Sequence, residues 1–396
     1  MKIGFLFNHD QIHQVAHSLP IALSLLDRHG VDVVLAATNA RLSEEVRRVA
    51  ALFGETDLPL VELDLASASS RTLNGALSWA IPSRKLLIYR DNLSFFAQLD
   101  ALVVSERTSL LLKRRYGMHD LPILLADHGA GDRAIGFGTE ARQFDLILAA
   151  GRKIADRLIK DAGVPSSRIA ITGYPKFDLP RASSLRLPFP DRSRPTVLYN
   201  PHVSPHLSSW YKMGRQVLDF FLASERYNLI FAPHVMMFER RWALSIDKLR
   251  LARPGSIDAR HMFASNIHID LGSPASTDMS YTNAADIYLG DVSSQIYEFL
   301  RWPRPAVFLN THDVQYQGDP NYAHWNAGPV ISTVESLEGA LRRASEQRHQ
   351  FAPVQQALFR YTFDMNDERS GERAARAIMD FLSKDARRIP EDLAFA

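Results

Sequence analysis

The feature that most restricts the fold is an alternation of short apolar runs with longer helical patterns, repeated through the chain. Lys2 to Phe7 reads as a strand, Gln14 to His29 as a helix in which Pro20 can introduce a kink, and Asp32 to Ala36 as a second strand. Gly30 is placed as a helix terminator, and the Val/Leu run after it is of the fully buried parallel kind. Further strands fit Ala101 to Ser105, Ile123 to Ala126, Leu146 to Ala149 and Arg168 to Thr172. Strands alternating with helices predict an α/β fold with a doubly wound parallel sheet.

The stretch from Pro180 to Pro195 places four prolines among serines and arginines, which works against helix, and is read as a linker. A second series follows. Its strands fit Thr196 to Tyr199, Tyr227 to Ala232, Ile267 to Asp270, Ile287 to Leu289 and Ala306 to Leu309, and its helices Gly214 to Ala223, Val292 to Arg301 and Val334 to Gln347. With 396 residues, more than one hydrophobic core usually spans, two Rossmann-like domains are expected. They run over 1–180 and 197–365, with a linker at 181–196 and a C-terminal helical segment at 366–396. A cleft at the carboxyl ends of the strands is where such sheets take ligands.

Composition removes several function classes. There is no Cys, so thiol catalysis, disulfides and thiolate metal sites are excluded. The N-terminus turns polar after seven residues, and no run approaches the roughly eighteen apolar residues of a membrane span. A cytoplasmic protein is expected. A net charge of +2 gives no reason to expect nucleic acid. Arg84-Lys85 and Lys113-Arg114-Arg115 are read first as solvated helix faces. Contact with an anionic acceptor or membrane surface, the latter placing the protein peripherally on the inner face of the cell membrane, is the sharper alternative.

The most informative local segment runs from Ala285 to Leu300, a strand leading through Asp291 into a helix entered at Ser293-Ser294. Free N–H groups at a helix start can bind a diphosphate; the competing reading makes Asp291 or Ser293 an ordinary N-cap. A second segment, Leu124 to Gly136, carries Asp127, His128, Asp132 and Arg133 on a Gly-rich loop after a buried-type strand. His128 could take a proton from a hydroxyl, with Asp127 or Asp132 orienting it. His202, His206 and His234 follow strands of the second series, and Asn8, His9, His13 and His17 follow the first strand. No helical H-E-x-x-H arrangement is present, and neither a metal nor another cofactor is expected.

The order of these segments resembles the CDP-glycerol glycerophosphotransferase family of teichoic-acid and capsule synthesis, over roughly residues 120–345. His128-Gly129 with Arg133 and Ile135-Gly136 resembles the family's H-G-T-P-x-K-x-x-G, and Gly173 to Asp178 its G-x-P-R-x-D. Tyr199-Asn200-Pro201 resembles Y-A-P, Ala285-Asp286 with Asp291 to Ser294 resembles S-D-x-x-x-x-D-Y-S-S, and Gly328 to Val330 its late G-P segment. Thr-Pro is replaced by Ala130-Gly131, and the Arg of the family's R-x-H by Ala232.

The resemblance implies a GT-B fold with an acceptor-side first domain and a nucleotide-donor second domain. It implies transfer of a polyol phosphate from a CDP-activated donor to a polyol-phosphate or saccharide acceptor, with His128 and His234 catalytic. Asp291, Ser293, Ser294, Arg133, His202 and Lys176 are then expected at the donor. A glycosyltransferase or epimerase acting on a nucleotide-sugar, and a non-catalytic assembly partner, are the alternatives.

Overall fold

The structure, a computed structural model, describes residues 1–386 apart from 9–11, 27, 29, 78–82, 181–184, 240–241 and 246–249. It divides into two compact units. One takes Met1–Gly129, Phe137–Pro180 and Phe363–Ala396, and the other Ala130–Gly136 and Arg181–Thr362.

The first unit holds a parallel sheet of seven strands: β1 (Lys2–Phe7), β2 (Asp32–Ala37), β3 (Leu60–Glu62), β4 (Ala101–Val104), β5 (Ile123–Ala126), β6 (Leu146–Ala149) and β7 (Ile169–Ile171). Their order is β3-β2-β1-β4-β5-β6-β7, so the chain winds one way from β1 and then returns to wind the other. The runs are continuous in Val, Ile, Leu and Ala because helices cover both faces, and β4, β5 and β6 are buried at every position.

The helix Val15–Leu26 contains Pro20 and is buried along most of its length. Asp27 and His29, at the end of its sequence pattern, lie outside the described residues, and Gly30 follows at φ +82° in the turn to β2. It packs against the helix Ser370–Ala386. Asp178 fixes that helix start, accepting N–H groups of Ser370 at 3.1 Å and Gly371 at 2.6 Å.

The second unit holds β8 (Thr196–Asn200), β9 (Asn228–Phe231), the antiparallel ribbon of β10 (Ala243–Ser245) and β11 (Arg250–Ala252), and β12 (Ile267–Ile269), β13 (Ile287–Gly290), β14 (Ala306–Leu309) and β15 (Val330–Ile331). Its main sheet has six parallel strands in the order β12-β9-β8-β13-β14-β15. Tyr199, Phe231 and Trp210 fill the core on one face, the Trp210 and Phe231 rings stacking at 4.9 Å. Gly328 is required beside β14, since a Cβ there would lie 1.9 Å from the Ala306 carbonyl oxygen.

Four short strands escape the sequence reading: β3, β15 and the two of the ribbon, β10 and β11. They span two or three residues each, too few for periodicity to register.

Candidate functional site

In the second sheet the winding direction reverses between β8 and β13, and their ends are in register, Asn200 opposite Gly290. The residues that follow each strand therefore emerge side by side at the sheet's carboxyl edge. Open α/β sheets take ligands at such a point.

Asp291 ties the two connections together. Its buried carboxylate accepts the N–H of His202 at 2.9 Å, the N–H of Ser209 at 2.6 Å and the Ser209 hydroxyl at 2.9 Å. Burial raises its pKa and these bonds oppose the rise. With both oxygens engaged, Asp291 braces the turn.

The two serines then divide. Ser293 is buried and donates to Asn200 Oδ1 at 2.6 Å. Ser294 is exposed, and although it stands at the cap position its side chain makes no capping bond. The helix after it, Gln295–Phe299, is much shorter than the expected Val292 to Arg301. Five residues supply little dipole, so the electrostatics of this edge are set by its side chains.

Those side chains are two imidazoles and a guanidinium. His202 Nδ1 accepts the N–H of Ser204 at 3.0 Å, and His234 Nδ1 accepts that of Met236 at 3.3 Å. An imidazole nitrogen that accepts carries no proton, so each neutral ring holds its proton on Nε2 and is a donor there. The rings lie 6.1 Å apart. Burial lowers the His202 pKa well below its ordinary value, with His234, Arg133 and His206 pushing the same way. Burial pushes His234 down to about 4.

Arg133 lies on the segment 130–136, which belongs to this second unit. That segment is held by Asp132, which accepts the Tyr297 hydroxyl at 2.6 Å and meets His324 Nδ1 at 2.7 Å. His324 Nε2 in turn meets the Asp291 carbonyl at 2.9 Å. A Cβ on Gly131 would stand 3.4 Å from that of Ser294, so the loop lies directly against the serine turn.

His128 lies in the first unit, after β5. Its Nδ1 is 2.8 Å from the Ser105 carbonyl, which can only accept, so the Nδ1 carries the proton. The Nε2 lone pair accepts from the Gln14 amide at 3.1 Å. This corrects the expectation that Asp127 or Asp132 orients the ring: the Asp127 carboxylate accepts the Gly129 N–H, and Asp132 is committed to Tyr297 and His324. Burial lowers the His128 pKa, and the neighbouring Asp127 charge partly restores it. Gln14 Oε1 is buried without a partner.

The structure therefore gathers Arg133, His202, His234, Asp291, Ser293 and Ser294 in the second unit. It places His128 and Lys176 in the first, with Lys176 buried in the turn Pro175–Asp178. His9 and the His13 side chain lie outside the described residues; the His17 ring is 6.0 Å from that of His128. Ser209, His324, Tyr297 and Gln14 carry no motif and escaped the sequence reading. Among the described residues no three His, Cys, Asp or Glu side chains are grouped to hold a metal ion. Of the basic clusters, Lys113 is paired with Asp145 at 2.5 Å and Arg84 with Asp64 at 2.9 Å. No described helix is long and apolar enough to cross a membrane.

No protein-family model matches this sequence, and no curated protein matches it. Solved structures do. UDP-GlcNAc 2-epimerase from Neisseria meningitidis, bound to UDP-GlcNAc, aligns over 97% of this chain and 100% of its own, with a TM-score of 0.56 and 13% identity. A putative UDP-N-acetylglucosamine 2-epimerase from Listeria monocytogenes aligns over 98% of each chain, at 0.59 and 12%. The wall teichoic acid polymerase TagF aligns over 98% of this chain and 89% of its own, at 0.60 and 15%. At such identities the likeness speaks for architecture alone: two doubly wound, Rossmann-like α/β domains of the GT-B class.

Proposed function

We propose that this protein transfers a polyol-phosphate group from a CDP-activated donor to an acceptor hydroxyl. The observation that carries the reading is the fixed tautomers of three histidines. His128 presents a lone pair on Nε2, whereas His202 and His234 hold protons there. One base and two neutral donors are the division of labour that phosphoryl-linked transfer needs.

In this reading His128 Nε2 takes the acceptor's hydroxyl proton after Gln14 gives way. The acceptor oxygen bonds to the donor's β-phosphorus, the bond from that phosphorus to the bridging oxygen breaks, and CMP departs with the electron pair. Arg133, His202, His234 and the Ser294 hydroxyl stabilise the charge on the diphosphate oxygens, while Asp291 and Ser293 hold the turn that presents them. Lys176 has no assigned step.

The structural likeness to UDP-GlcNAc 2-epimerases keeps a second reading in view, a nucleotide-sugar enzyme on the same architecture. A thermal-shift screen over CDP-glycerol, CDP-ribitol, UDP- and GDP-sugars and the free nucleotides separates the two, because a ligand bound by the native state raises apparent stability. Cytidine selectivity supports the transfer reading. Uridine or guanosine selectivity replaces it with the second, and no response to any nucleotide removes both in favour of a non-catalytic partner.

A further inference from the structure

Away from the serine turn, the second unit contains a cavity of about 410 Å³ between the segment Trp210–Gln216 and the turn Arg253–Gly255. That volume suits a small metabolite. Among the described residues its lining carries Lys212, Arg215 and Arg253 and no acidic residue.

None of the three cations meets a carboxylate among the described residues. Lys212 Nζ donates to the Thr311 carbonyl at 2.6 Å, Arg215 to the Ser256 carbonyl at 3.3 Å, and the Arg253 guanidinium lies 3.8 Å from the centre of the Trp242 ring. Carbonyls and a ring orient these groups without neutralising them. The charge is felt nearby: His312 is pushed below its ordinary pKa, first by burial and then by Lys212, with Arg250 adding to it.

The two walls are tied to each other. Trp210 to Gly214 form a wide helical turn with i→i+5 bonding, a form that often marks functional positions. The Trp210 indole N–H is anchored to the Pro254 carbonyl at 2.8 Å, joining the two walls. Gly255, at φ +78°, leaves room for Arg215; a Cβ there would come within 3.0 Å of the guanidinium.

We infer that this cavity binds a phosphate ester of sugar or polyol size, the two guanidinium forks and the ammonium gripping its phosphate. The inference stands apart from the donor reading, because no lining residue belongs to the donor set. The phosphate can come from a free monoester or from a diester unit of a polymer.

Isothermal titration with inorganic phosphate, glycerol 3-phosphate and bis(glycerol) phosphate tests it, with glycerol as the neutral control. Saturable one-to-one binding of phosphate is expected in the wild type and in Ser294→Ala. Arg215→Gln/Arg253→Gln should weaken it by about tenfold or more, as expected for lost charge-assisted bonds. Tighter binding of glycerol 3-phosphate points to a free monoester, and tighter binding of bis(glycerol) phosphate to a polymer unit. Should the double variant fail to fold, Arg253→Gln alone decides, since that side chain is exposed. Binding that does not saturate, that is unchanged in the arginine variants, or that is lost only in Ser294→Ala overturns the assignment.

Discussion

Asp132 and His324, 192 residues apart in sequence, meet at 2.7 Å with both side chains almost fully buried. Through its other nitrogen His324 reaches the Asp291 carbonyl, and through its main-chain N–H it bonds Asp132 again. One side chain thus joins the loop that carries Arg133 to the turn that carries the serines.

Removing either partner takes one buried hydrogen bond from the other, which keeps its remaining contacts: Asp132 those to the Tyr297 hydroxyl and the main-chain N–H of residue 324, His324 that to the Asp291 carbonyl. His324→Ala and Asp132→Ala should each cost about 1–3 kcal/mol of stability, read as a loss of midpoint in denaturant unfolding. The double variant should cost less than the sum, because both deletions remove the same bond. Additive costs would mean that the pair is not coupled.

The two serines should respond in opposite ways. Ser294 is exposed and makes no capping bond, so Ser294→Ala should weaken donor binding by roughly 1.5–3 kcal/mol with little change in Tm. Ser293→Ala strands the buried Asn200 Oδ1 and should lower stability by about 1–3 kcal/mol. Calorimetry and thermal melting on both variants distinguish these outcomes; a Tm loss confined to Ser294→Ala would reverse the assignment.

His128→Ala should reduce turnover by about 10²–10⁴-fold while leaving donor affinity largely intact. His128→Asn keeps polarity without basicity and should fare no better. Because burial lowers the His128 pKa, the acid limb of kcat/KM should fall below the ordinary histidine range, activity failing as pH drops through it. Wild-type turnover in a folded His128→Ala protein, with donor and acceptor supplied, excludes the role.

His234 makes a pH prediction about stability. Its folded pKa of about 4 lies below the ordinary value of 6.5, so the unfolded chain binds the proton more readily. The stabilisation from keeping it neutral is fully present above pH 6.5 and lost as pH falls toward 4. Denaturant midpoints for His234→Gln should therefore vary less with pH than wild type across that window. Parallel profiles would show that the imidazole does not titrate there.

The fold was largely legible because buried parallel strands leave contiguous apolar runs. Lys2 to Phe7 and Ile123 to Ala126 were read with the bounds the structure gives them, and Ala306 to Leu309 likewise. A helix length was less legible: Val292 to Arg301 has helical spacing, yet only Gln295–Phe299 forms α-helix, since the turn at Asp291 is held by bonds to Ser209 and His202 that no local pattern encodes. The sequence marked His128, His202, His234 and Ser294 as chemistry-bearing residues at strand ends. Only the tertiary structure decided which nitrogen of each imidazole holds its proton, because that follows from the Ser105 carbonyl or the Ser204 and Met236 N–H groups brought against it. It also decided what Asp132 holds, since Tyr297 and His324, far along the chain, converge on its carboxylate.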